Sequence, residues 1–70
     1  MAQSIYKVIE LIGTSTESWE KAAANAVEAA GKQLRELRIA EVSELDMQIE
    51  KNKIVAFRAK VKLSFKYERE

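Results

Sequence analysis

Residues 18–34 carry the only helical periodicity in the chain, and this limits its fold more than any other feature. Apolar residues recur at Trp19, Ala22, Ala23, Ala26, Val27, Ala30 and Leu34, in steps of three and four, with Glu20, Lys21, Glu28 and Lys32 elsewhere on the cylinder. A single amphipathic helix must bury its stripe against another layer, and the segments on both sides read as strands. The order is therefore strand, helix, strand, strand, with the helix covered by strands drawn from both of its flanks.

The first strand is predicted over residues 3–12, where Ile5, Tyr6, Val8, Ile9, Leu11 and Ile12 are interrupted only by Lys7 and Glu10. Gly13 is read as its end, followed by the polar turn cluster Thr14, Ser15 and Thr16. Ser18 is the preferred helix N-cap, although Thr14 with Glu17 also has capping-box spacing. Glu17 and Glu20 fall near the positive end of the helix dipole, and Lys32 and Arg35 near its negative end. Gly31 weakens the last turn and leaves room for a close backbone approach.

A second strand is predicted over residues 36–50. Ala40 and Val42 are apolar at even positions, then Leu45, Met47 and Ile49 at odd ones, a slip that marks a β-bulge near Ser43 and Glu44. Lys51, Asn52 and Lys53 are read as the turn. The third strand follows over residues 54–67, with Val55, Phe57, Ala59, Val61, Leu63, Phe65 and Tyr67 on one face and Arg58, Lys60, Lys62, Ser64 and Lys66 on the other. A three-residue loop sets Ile49 opposite Val55, Met47 opposite Phe57 and Leu45 opposite Ala59. It also sets Asp46 across from Arg58 and Glu44 across from Lys60, both pairs of opposite charge. Beyond the bulge Val42 meets Val61 and Ala40 meets Leu63, which leaves Ile39 on the polar face.

The predicted strands of the hairpin each reach about 45 Å, whereas the predicted helix is only about 25 Å long. The hairpin overhangs its cover, and a helix face made largely of alanine buries little area per residue. Seventy residues form one small domain, residues 1–70, whose core is marginal on its own. The chain has no cysteine and no histidine, so disulfides, thiolate metal sites and the commonest general base are all excluded. Oligomerisation remains as the means of completing the core, with oxygen-ligated hard cations a second option. A net charge of +1 argues against a nucleic-acid partner. No apolar run has membrane-spanning length and no secretory leader is evident, so a cytoplasmic protein is expected. No nucleophile and base are arranged for catalysis, so the chain is not read as an enzyme.

The order and spacing of several short stretches resemble the dodecin family. They are Tyr6-Lys7-Val8-Ile9-Glu10, Gly13-Thr14-Ser15, Ser18-Trp19-Glu20, Leu34-Arg35, Glu41-Val42 and Val61-Lys62-Leu63-Ser64-Phe65, which together cover nearly the whole chain. The resemblance implies an α+β fold of order β-α-β-β, with a three-stranded antiparallel sheet wrapped around the helix. It also implies assembly of twelve copies into a hollow shell of cubic symmetry. Most characterised dodecins bind flavins, holding the stacked rings between tryptophans where subunits meet. The family tryptophan matches Ile39 here, and a glutamine that bonds the flavin edge matches Arg58. Isoleucine has no π-face and arginine offers donors but no acceptor. Trp19, on the helix, does not replace the stacking residue.

A subgroup without the tryptophan, the calcium dodecins, is similar in the Arg38-Ile39-Ala40 region, at Asp46-Met47 and at Ser64-Phe65-Lys66. A hard cation needs several carboxylate or carbonyl oxygens, and Glu44, Asp46 and Glu50, with Glu10 and Glu41, are the candidate donors. Glu44 and Asp46 are more simply explained as cross-strand partners of Lys60 and Arg58 than as metal ligands. The lysine-rich face suits solvent, the interior of an assembly or a phosphate-bearing ligand. The leading expectation is a homododecameric storage or binding protein that takes calcium. The alternatives are a dodecin that binds riboflavin or FMN in an altered pocket, and a structural shell with no dedicated ligand.

Overall fold

The structure, a computed structural model, describes residues 5–66. The predicted strand positions Gln3, Ser4 and Tyr67 lie outside the described residues. Four elements follow one another: β1 (Tyr6–Ser15), α1 (Trp19–Gly31), β2 (Leu37–Glu50) and β3 (Lys53–Lys66). They form one antiparallel sheet in the order β1-β3-β2, so the last strand of the chain is the middle one. That position suits its regular alternation, because a central strand has neighbours at both edges and one face committed to the core. Ala59, Val61 and Leu63 of β3 are buried against Ala22, Ala26 and Ala30 of α1.

Gly13 does not end β1. The strand continues to Ser15, and Gly13 lies opposite Ala59. A Cβ at this position would overlap the Ala22 carbonyl oxygen and stand 3.1 Å from the Ala26 Cβ. Gly13 is therefore the point where the helix backbone comes closest to the sheet, and the missing side chain makes room for it. The close approach expected at Gly31 is ordinary, since a Cβ there would only touch the Leu37 side chain at 3.8 Å.

Ser18 is the N-cap, with extended backbone (φ −167°, ψ 164°) and a hydroxyl that accepts from the Lys21 amide at 3.0 Å. Thr14 lies within β1. Ser15 instead shapes the approach to the helix, its hydroxyl accepting from the amides of Glu17 at 2.9 Å and Ser18 at 3.4 Å. The helix closes at Gly31, short of Leu34, and the amides of Gln33 and Leu34 both donate to the Ala30 carbonyl.

Most of the hairpin register matches the sequence reading: Ala40, Val42, Glu44, Leu45, Asp46 and Met47 meet Leu63, Val61, Lys60, Ala59, Arg58 and Phe57, with the bulge at Ser43. The tip differs. The loop has two residues, Lys51 and Asn52, both left-handed (φ 52° and 63°), the pattern of a type I′ turn. Lys53 thus joins β3 opposite Glu50, and Ile49 meets Ile54 instead of Val55. A second bulge at Val55 absorbs the extra residue and restores the register at Gln48 and Ala56. A third irregularity sits at Arg38.

The helix has 13 residues, about 20 Å, against extents of 55 × 20 × 14 Å for the molecule. It crosses β1 and β3 and leaves the helix-side face of β2 largely uncovered. The radius of gyration, 14.6 Å, exceeds the roughly 11 Å of a compact domain of this length. The chain exposes 5627 Å², where a compact monomer of this mass exposes about 4,450 Å². No helix among the described residues is long and apolar enough to cross a membrane.

Candidate functional site

The face of the sheet turned away from the helix is built in rows across its strands. β3 supplies a central column of Arg58, Lys60 and Lys62. β1 sets Thr14, Ile12 and Glu10 beside them, and β2 sets Asp46, Glu44 and Glu41 on the other side. Alternation places these side chains on one face, and the register brings opposite charges into the same rows. Arg58 grips Asp46 with two bonds, Nε donating to Oδ1 at 2.7 Å and Nη2 to Oδ2 at 2.8 Å. That fork holds the Asp46 carboxyl below its ordinary pKa, chiefly through the hydrogen bonds, and raises that of Arg58 in return. Lys60 Nζ lies 3.5 Å from Glu44 Oε1.

The five candidate oxygen donors are dispersed along this face. Glu44 and Asp46 each face their own cation, Glu50 accepts from Gln48 Nε2 at 3.3 Å, and Glu10 and Glu41 flank Lys62. Among the described residues no group of three or more Asp, Glu, His or Cys is placed to hold a metal ion within one protomer.

Ile39 pairs with Ser64, in one row with Val8, and is 62% exposed. It also borders a shallow groove of about 170 Å³ with Val27, Leu37, Arg38, Ala40 and Leu63. Arg58 lies six residues from Ser64 along β3, a separation of about 20 Å at strand rise. Ile39 and Arg58 therefore do not form one pocket within a protomer, and a small ligand touching both would take them from different copies.

On the helix side, Trp19, Glu20, Ala23, Val42 and Leu45 line an open apolar groove of about 510 Å³ between α1 and β2. Trp19 Nε1 donates to the Asp46 carbonyl at 3.0 Å, and its ring meets Phe57 edge-on, with centroids 5.2 Å apart and planes at 68°. In the sequence Trp19 is visible only as part of the apolar helix stripe, and this groove is not. Its one signal is the small Ala23 on the apolar stripe, which leaves room beside two large β2 side chains.

These features define a small β-α-β-β protein whose three-stranded antiparallel sheet curls about one helix and leaves much of β2 bare. The dodecin family model matches residues 5–68, and the chain belongs to that family. It is 46% identical over 63 residues to the calcium dodecin of Mycobacterium tuberculosis, covering 90% of this chain and 89% of that one. The crystal structure of that bacterium's calcium dodecin, described as calcium-chelating with a novel calcium-binding site, superposes with a TM-score of 0.83 at 45% identity over 93% of each chain. The dodecin of Streptomyces coelicolor superposes with a TM-score of 0.91 at 34% identity over all of both chains.

Proposed function

We propose that this chain is the subunit of a cytoplasmic homododecamer that binds or stores a small ligand, is not an enzyme, and takes calcium in place of stacked flavin. The observation that carries this reading is the state of the two flavin positions. Ile39 presents an aliphatic side chain with no ring to stack on. Arg58 has its guanidinium held by Asp46 in a bidentate pair, so it is oriented toward a carboxylate and supplies no acceptor to a flavin edge. Calcium is supported by the likeness to a relative named for it and by the acidic residues on both edge strands. Glu44, Asp46 and Glu50, joined by Glu10 and Glu41, are the proposed donors, drawn from more than one protomer. Nucleic acid and membrane are not expected partners, because the net charge is +1 and the Arg58 and Lys60 cations are paired with carboxylates.

Calorimetry on metal-stripped protein tests the ligand. Saturable calcium heat, with a rise in melting temperature that a chelator reverses, supports the reading. Absence of both overturns it. Riboflavin or FMN whose fluorescence is quenched at micromolar protein would favour a flavin dodecin with an altered pocket.

A further inference from the structure

We infer that Trp19 and Asn25 of α1 are positioning residues for the outer face of the sheet: they hold the row of Thr14, Arg58 and Asp46 at both of its edges and so preset the fork between Arg58 and Asp46. The inference rests on the function proposed above, in which that row meets the ligand. The sheet order β1-β3-β2 puts Arg58 in the middle of the row, with Thr14 on one edge strand and Asp46 on the other. Asn25 Nδ2 donates to the Thr14 carbonyl at 2.9 Å, and Trp19 Nε1 donates to the Asp46 carbonyl at 3.0 Å. Two side chains of one helix thus end on the two edges of a single row. The indole also steadies the middle strand, since its ring meets Phe57, the residue before Arg58, edge-on.

The fork needs such support. Its two side chains are 41% and 51% exposed, so burial does not fix them. A bidentate pair tolerates little displacement, because two N–H groups must meet two carboxylate oxygens at once. The next row gives the contrast. Among the described residues no helix side chain bonds to Lys60 or Glu44, and these two stand 3.5 Å apart, against 2.7 and 2.8 Å in the fork. A ligand arriving at the Arg58 row meets groups already in place and does not bear the cost of ordering them. Asp46 also links the two sides of the sheet, its backbone held by the helix while its carboxylate stands on the outer face.

Asp46 is the only aspartate and Trp19 the only tryptophan of the chain, so each can be followed as a single label. In protein made with isotope-labelled aspartate, the Asp46 carboxyl is titrated by carbon NMR in wild type, Trp19→Phe and Asn25→Ala. Native mass and far-UV circular dichroism show whether each variant is folded and assembled like wild type. The hydrogen bonds from Arg58, and the charges of Arg58 and Lys60, hold this carboxyl below its ordinary range. Loosening the row is expected to move its midpoint up by several tenths of a pH unit while mass and secondary structure stay unchanged. Folded variants that keep the wild-type midpoint overturn the inference. The wild type gives a check without substitution: with fluorotryptophan at position 19, the fluorine signal is expected to shift with the midpoint of the Asp46 carboxyl, and a signal that ignores it overturns the link. Neither measurement uses calcium, so missing calcium heat overturns the proposed ligand and leaves the positioning intact. Where calcium binds, Trp19→Phe is expected to bind it several-fold more weakly, and equal affinity overturns the role at the site.

Discussion

Arg58 and Asp46 are both surface residues, and their pairing is a matter of register more than of burial. Alternation puts both on the outer face, and the short turn with its compensating bulge at Val55 brings them into the same row. The hydrogen bonds from Arg58 lower the Asp46 pKa, so the pair's contribution to stability is present above the unfolded carboxylate value of about 3.9. It is lost as pH falls through the lower folded value. Asp46→Asn is expected to be slightly less stable than wild type at pH 7, and to show a shallower loss of stability below about pH 4, measured by thermal melts across pH. This pair was legible in the sequence because it needs only a strand period and a loop length close to the true one. The tip was not. Lys51 and Asn52 both adopt positive φ, a conformation that asparagine tolerates and lysine rarely does, so the two-residue turn carried only half of its usual signature.

Between elements, the contact that matters most is α1 on β1 and β3, whose buried helix face is alanine. Ala22, Ala26 and Ala30 meet Ala59, Val61 and Leu63, with Gly13 beneath the Ala22 carbonyl. Such a contact brings backbones close and tolerates no added volume. Gly13→Ala is expected to destabilise the domain by about 1–3 kcal/mol, the usual cost of overpacking a filled core. Urea denaturation is the check, and a variant as stable as wild type would show that the helix can shift away. The alanine stripe was readable as a close-packing face. What it packs on was not, because glycine in a strand followed by polar turn residues reads locally as a terminator. The break in alternation at Ser43 gave the second strand's bend correctly, since a phase slip is visible in sequence. The extra bulge at Val55 only compensates for the short turn and has no such signal.

At the scale of the molecule, the long hairpin and short helix leave a domain with a small core and a large uncovered surface. The proposed assembly would cover that surface, and with it the melting temperature is expected to rise with protein concentration, as for any fold linked to association. Differential scanning fluorimetry over a hundredfold range of protein concentration checks this, and a concentration-independent midpoint would argue for a self-sufficient monomer. The candidate ligand positions belong to this scale too. Ile39 and Arg58 stand in rows six residues apart along β3, and the acidic donors are spread over several rows, with Glu10 and Glu41 sharing Lys62.

The sequence by itself determined the four elements, the faces of the strands and most of the hairpin register. These follow from periods of two and 3.6 and from pairing between segments joined by a short loop. The resemblance to the dodecins, and no period in the sequence, singled out Ile39 and Arg58 as the positions matching the family's flavin contacts. Tertiary structure decided that β3 lies in the middle, that the helix covers β1 and β3 and leaves β2 bare, and that Gly13 takes the helix backbone. It also decided that Ile39 and Arg58 stand too far apart to share a pocket in one protomer. All of these depend on distances between segments remote in the chain, and the packing of small residues that sets such distances leaves no period in the sequence.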